Sequence, residues 1–207
     1  MSRILRTLLI LGAGLLLLDA AIYVTMLNRA PVSAERTVVS SGTAAIGGPF
    51  QLVNTEGKQV SDQTFRGKWM LIYFGYTFCP DACPTALTNM GIAIETLGTG
   101  TTTPQPLFIT VDPKRDTAAV LNSYLESFDP RIVGLTGSKA QTDAVVKAYR
   151  IYDEPQKPQA DGSYLVDHSS YLYLMDPNGK FIDVIQGSTP PDQISAWLRK
   201  SMGDHAI

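Results

Sequence analysis

The sequence predicts an α/β layer fold held behind an N-terminal apolar segment, and three observations carry that expectation. Residues 69–76 (WMLIYFGY) form a near-continuous apolar run, the pattern of a central strand covered on both faces. Directly after it Leu87, Met90, Ile94 and Leu97 recur at helical spacing, and strand and helix patterns then alternate. The chain closes on a strand hairpin and a last helix, the order expected of a small sheet with helices on both faces.

Taken in order, residues 50–53 and 58–60 flank Asn54, Thr55, Glu56 and Gly57, a hairpin signal. The central strand and its helix follow, then a strand over 107–111, a helix over 117–128, a short strand over 132–135 and a helix over 139–149. Residues 153–163 (DEPQKPQADGS) read as a Pro- and Gly-containing excursion. A second hairpin pairs 171–175 with 181–185 around Asp176, Pro177, Asn178 and Gly179, and a final helix starts near Pro191 and Asp192. This order suits a thioredoxin-like fold with an added N-terminal β-hairpin, as one domain over residues 47–203 with a tail at 204–207.

Ahead of that domain, Arg3 and Arg6 in residues 1–6 precede an apolar stretch over 7–27, which reads as a signal peptide or a membrane anchor. As a helix it reaches roughly 31 Å, enough to cross a bilayer. Asp19 opposes insertion by about 3 kcal/mol, while the eleven Leu, Ile and Val residues favour it by roughly 5 kcal/mol in sum. The anchor is therefore the favoured reading, since the cleavage-like Val32-Ser33-Ala34 lies far beyond the uninterrupted run. Asp19 itself is either a tolerated polar residue or a partner contact within the membrane. Positive charge before the stretch places the N-terminus in the cytoplasm and the domain in the periplasm. The lack of a Ser/Arg-rich transit segment ahead of it favours a bacterial inner membrane. Residues 28–46, rich in Ser, Ala, Thr and Gly, read as a flexible tether.

Composition narrows the function classes. A chain of 207 residues with 44% hydrophobic and 17% charged residues folds, and has room for one ordinary domain plus a tether. Lys+Arg number 17 against 19 Asp+Glu, without a run of like charge, which argues against a nucleic-acid binder. Two cysteines are too few for a disulfide scaffold or a four-cysteine zinc site, so they act as a pair.

That pair is Cys79-Pro80-Asp81-Ala82-Cys83-Pro84, directly after the central strand, at the sheet edge where function collects in such folds. Pro84 fits the first helical position, which places Cys83 at the N-cap among unsatisfied backbone N–H groups that favour a thiolate. Three intervening residues let two sulfurs converge on a soft ion and still permit a disulfide. A static disulfide is the structural alternative in an exported protein, although closing a loop of about four residues stabilises little. His168 precedes the strand at 171–175, where a thioredoxin-like fold faces the cysteine loop and usually carries a cis-proline. Two thiolates and one imidazole suit copper, whereas zinc would usually take a fourth ligand. His205 in the charged tail is not expected to be a ligand, and Met70, Met90 and Met175 fall on core-like stripes. Asp116 or Thr117 is expected to cap the helix that follows, and Asp112, Arg115 and Asp81 are candidates for contacts supporting the site or a partner.

Four segments together resemble the Sco/SenC family of membrane-anchored copper proteins that help assemble cytochrome c oxidase: residues 75–84 (GYTFCPDACP), 111–117 (VDPKRDT), 167–169 (DHS) and 173–181 (YLMDPNGKF). The resemblance covers roughly residues 46–202, with Ala82 standing where the family has a larger apolar residue. It implies copper ligands at Cys79, Cys83 and His168, one Cu(I) or Cu(II) per chain, and delivery to the CuA centre in the oxidase's copper-bearing subunit. A copper donor and a periplasmic thioredoxin-like reductant are implied partners, the second because a Cys79–Cys83 disulfide must be reduced before it can load metal. The rival expectation is a thiol-disulfide reductase that keeps the oxidase's own metal-binding cysteines reduced without need of His168. A peroxidase is disfavoured, since nothing places an Arg and a Thr around a peroxidatic cysteine.

Overall fold

The N-terminal hairpin forms as expected in a computed structural model that describes residues 46–98 and 103–203. Strand β1 (Gln51–Asn54) pairs antiparallel with β2 (Gln59–Ser61), Leu52 opposite Val60. The Asn54 side chain closes the turn by accepting from the Glu56 and Lys58 amides at 3.1 and 2.9 Å, and Gly57 supplies the positive φ of 78° there. The anchor at 7–27, the tail at 204–207 with His205, and the tether up to residue 45 lie outside the described residues. Among the described residues no helix is long and apolar enough to cross a membrane.

A short 3₁₀ turn at Asp62–Phe65 leads into β3 (Met70–Gly75), buried at every residue, and then helix α1 (Ala82–Leu97). Next come β4 (Gln105–Thr110), α2 (Ala118–Leu125), β5 (Val133–Thr136) and α3 (Lys139–Ala148). Strands β6 (Asp153–Pro155) and β7 (Val166–His168) precede the second hairpin, β8 (Tyr171–Met175) and β9 (Phe181–Gln186), and helix α4 (Pro191–Gly203) ends the domain. The main sheet has seven strands in the order β2-β1-β5-β4-β3-β8-β9, with β3 parallel to β4 and antiparallel to β8.

Alternation along β3 decides which helix covers which face. Tyr73 stacks on Phe108 of β4, Phe108 meets Tyr124 of α2, and a Cβ on Gly75 would run into Cys83 of α1, so α1 and α2 share that face. Phe74 points the other way, its ring 5.3 Å from that of Tyr149 at the end of α3. Helices on both faces are therefore observed, and Met70, Met90 and Met175 are core residues with at most 1% exposure. The excursion at 153–163 differs from expectation: its first residues pair with β7 as a two-stranded ribbon outside the main sheet, Asp153 opposite His168. Pro155 ends the strand, a position where the missing N–H is tolerated.

Candidate metal centre

The site is built where β3 ends. Gly75 lets the chain pass close over α1: a Cβ there would lie 2.7 Å from Cys83 Sγ, 2.9 Å from Phe108 and 3.0 Å from Tyr73. The chain then turns, with the Cys79 amide donating to the Tyr76 carbonyl at 3.3 Å. One expectation is corrected here, because α1 starts at Ala82 with Asp81 at the N-cap, so Cys83 is the second helical residue and Pro84 the third. Proline is tolerated there because the first four N–H groups of a helix have no intrahelical partner in any case. Cys83 keeps such an orphan N–H, and it donates to Cys79 Sγ at 3.3 Å.

The helix end therefore favours a thiolate at Cys79 rather than at Cys83. Neither cysteine is in a disulfide. A hydrogen bond from the Cys83 thiol, with smaller help from backbone N–H groups, pulls Cys79 down to about 4 against the opposing effect of burial. Burial and the neighbouring Cys79 push Cys83 well above the ordinary thiol range. Cys79, deprotonated and 8% exposed, is the nucleophilic member, and Cys83, fully buried, keeps its proton. Limited iodoacetamide at pH 6 should label Cys79 before Cys83, read by peptide mass mapping, and equal or inverted labelling would contradict this electrostatic assignment. An unfolded thiol ionises near ~8.5, so ionisation of Cys79 favours the fold fully above that pH, and the contribution is lost as pH falls through about 4.

His168 reaches the pair from the end of β7. Its Nε2 lies 3.4 Å from Cys83 Sγ, and its Nδ1 is 3.1 Å from the Ser169 carbonyl oxygen. A carbonyl only accepts, so Nδ1 carries the proton and Nε2 presents a lone pair to the sulfurs. The rings of Tyr73 and Tyr76 stand edge-on to the imidazole at 6.1 and 5.7 Å and confine it. The Tyr73 hydroxyl lies 4.0 Å from Cys83 Sγ and 3.0 Å from Ser170 Oγ. The ligand-capable atoms of Cys79, Cys83 and His168 all lie within 4.8 Å of one another. That separation is comparable to two metal–ligand bonds of about 2.0–2.3 Å, so one ion can touch all three.

Asp116 and Thr117 lie between β4 and α2. Thr117 caps α2, accepting from the Val120 amide at 3.3 Å, while Asp116 turns inward and is fully buried. Its carboxylate accepts from the Thr77 amide (3.0 Å), the Thr77 hydroxyl (2.6 Å) and the Thr110 hydroxyl (2.7 Å), which fastens the cysteine loop to β4. Desolvation nonetheless raises its pKa. Thr77 and Asp116 escape sequence reasoning as supports of the loop. The available signal is an acidic residue placed beside a Thr that can itself cap the helix. Asp112 pairs with Arg115, and Asp81 is exposed with no side-chain cap bond.

The family model described as SCO1/SenC matches residues 38–203. The chain belongs to the SCO1/SenC family. It is 39% identical over 163 residues to the human mitochondrial Protein SCO1 homolog, covering 78% of this chain and 54% of that protein. The chain thus spans about half the length of its mitochondrial relatives from human, mouse and Arabidopsis thaliana. Among solved structures it is similar to Bradyrhizobium japonicum ScoI with copper bound, at 42% identity and a TM-score of 0.70, covering 76% of this chain and 99% of that one. It is also similar to BsSco, described as a member of the Sco family of cytochrome c oxidase assembly proteins in which a disulfide switch was identified. That likeness has 25% identity and a TM-score of 0.61, covering 77% of this chain and 94% of that one. These SCO1/SenC relatives share the mixed α/β, thioredoxin-like fold.

Proposed function

We propose that the chain binds copper and works in the assembly of cytochrome c oxidase. Cys79, Cys83 and His168 hold one copper ion as cargo, Cu(I) or Cu(II), and pass it by ligand exchange to the CuA centre in the oxidase's copper-bearing subunit. The observation that carries this reading is the convergence of two sulfurs and one imidazole nitrogen within 4.8 Å. Sulfur suits Cu(I), and imidazole serves Cu(II) as well, so the donor set accommodates both oxidation states. The copper-bound B. japonicum relative and the family named for BsSco support the same reading. Residues 7–27 anchor the chain in a bacterial inner membrane with the copper site in the periplasm, where a copper donor and a thioredoxin-like reductant serve it.

A second reading is favoured by the split between a thiolate at Cys79 and a buried thiol at Cys83. Cys79 would attack a disulfide of the oxidase subunit and release one partner thiolate. Cys83, giving up its proton to that thiolate, would displace the other, so two electrons pass to the partner and a Cys79–Cys83 disulfide remains. His168 separates the two readings. In a strain lacking this protein, His168→Ala should fail to restore oxidase maturation while its cysteine pair remains reducible, and added copper should partly rescue the strain. Full restoration by His168→Ala would hand the function to the reductase reading.

A further inference from the structure

The cluster around Arg115 touches both halves of the site at once. His168 sits on the β6–β7 ribbon, which is outside the main sheet, and a two-stranded hairpin is marginal by itself. Behind the ribbon lies a cleft of about 980 Å³, lined in part by Pro155, Tyr164 and Val166, so that side gives it little support. Its ladder bonds are internal, and so is the bond from the Ser169 amide to the Tyr152 carbonyl. Attachment to the body near β7 falls to few groups. The Val166 amide donates to the Tyr76 hydroxyl at 3.1 Å, and Arg115 Nη1 donates to the Tyr164 carbonyl at 2.7 Å. Asp112 accepts from Arg115 Nε and from the Tyr164 hydroxyl, the latter at 3.0 Å, which closes a ring of three residues.

The same guanidinium reaches the cysteine side. Its carbon lies 3.6 Å from the Tyr164 ring centroid, 4.7 Å from that of Phe78 and 5.5 Å from that of Tyr76. Phe78 immediately precedes Cys79, and Tyr164 lies on the segment entering β7. Arg115 Nη2 is buried without a hydrogen-bond partner among the described residues. We propose that Arg115 is a positioning residue: held by Asp112, it clasps the His168 ribbon through Tyr164 and the cysteine loop through Phe78, keeping the imidazole over the sulfurs. This rests on the copper reading of Cys79, Cys83 and His168.

Arg115→Lys keeps the charge but removes the planar fork and the stack, and Tyr164→Phe removes only the bond to Asp112. Amide hydrogen exchange on the metal-free full chain should accelerate about tenfold or more at residues 166–169 and 77–79 in Arg115→Lys, with β3 and β4 unchanged, because only the local opening is eased. With copper, Cu(II) affinity should fall about 10–100-fold, as for loss of a partner that orients a metal ligand, with a weakened imidazole signature in the electron paramagnetic resonance spectrum. Cu(I) affinity should stay within about threefold, since two thiolates suffice for it. Tyr164→Phe should move each reading the same way by less, and it decides the matter if Arg115→Lys does not fold. Unchanged exchange at 166–169, or equal losses for Cu(I) and Cu(II), would overturn the clasp. Failure of the wild-type chain to bind either ion would instead remove the copper reading, while the exchange result still judges the clasp.

Discussion

Serine in place of Cys79 or Cys83 should cost far more Cu(I) affinity than the roughly 10–100-fold that follows loss of an outer-shell partner. The reason lies in the donor set: two sulfurs supply the soft ligands, and one thiolate with one imidazole makes a weaker Cu(I) site. His168→Ala should behave differently. Cu(I) held linearly by two thiolates survives it, whereas Cu(II) loses its nitrogen donor along with the intensity and energy of its sulfur-to-copper charge-transfer band. Competition titrations with a Cu(I) chelator and visible spectra of the Cu(II) forms check the contrast. Equal effects of the three substitutions on both ions would mean that the residues act through the fold rather than as separate ligands.

Gly75→Ala should damage the site and the fold together. The added methyl meets Cys83 Sγ, Phe108 and Tyr73 at 2.7–3.0 Å, in a strand whose every residue is buried. Overpacking of this kind costs about 1–3 kcal/mol, and each kcal/mol lowers the melting midpoint of a domain this size by about 2–4 °C. Because Cys83 Sγ is the atom struck, copper affinity should fall as well, even at temperatures where the variant is fully folded. Gly203→Ala is the control, since nothing lies within 4 Å of a Cβ there, and it should stay within about 0.5 kcal/mol of the parent. Thermal unfolding followed by copper titration separates the two variants, and a Gly75→Ala protein with parental stability and copper binding would contradict the close approach.

The parts of the fold that announce themselves in the sequence are those governed by local pattern. Residues 69–76 read as a central strand because both faces are covered, and the alternation that follows implies helices on both sides. The β6–β7 ribbon does not announce itself: its strands are three residues each, one ends in Pro155, and their pairing joins residues 153 and 168 across a polar excursion. At the site, the CxxxC spacing and the position of His168 point to three residues that the structure does bring together. The helix start is misjudged, since proline suits any of the first helical positions and cannot say which one it occupies. Asp116 holding Thr77 across 39 residues, and Arg115 between Tyr164 and Phe78, are tertiary meetings of residues that look locally like a helix cap and a charged turn.

One measurement bears most directly on the copper reading: anaerobic titration of the fully reduced, full-length chain with Cu(I), with the ligands read by X-ray absorption. One equivalent should bind through two sulfurs, with a nitrogen neighbour that vanishes in His168→Ala. Binding should also weaken as pH falls, because Cys83 must give up its proton to the solvent before its sulfur can bind. A reduced protein with both cysteines unoxidised that takes up no stoichiometric copper, or that binds it through oxygen and nitrogen alone, would rule out Cys79, Cys83 and His168 as a copper site.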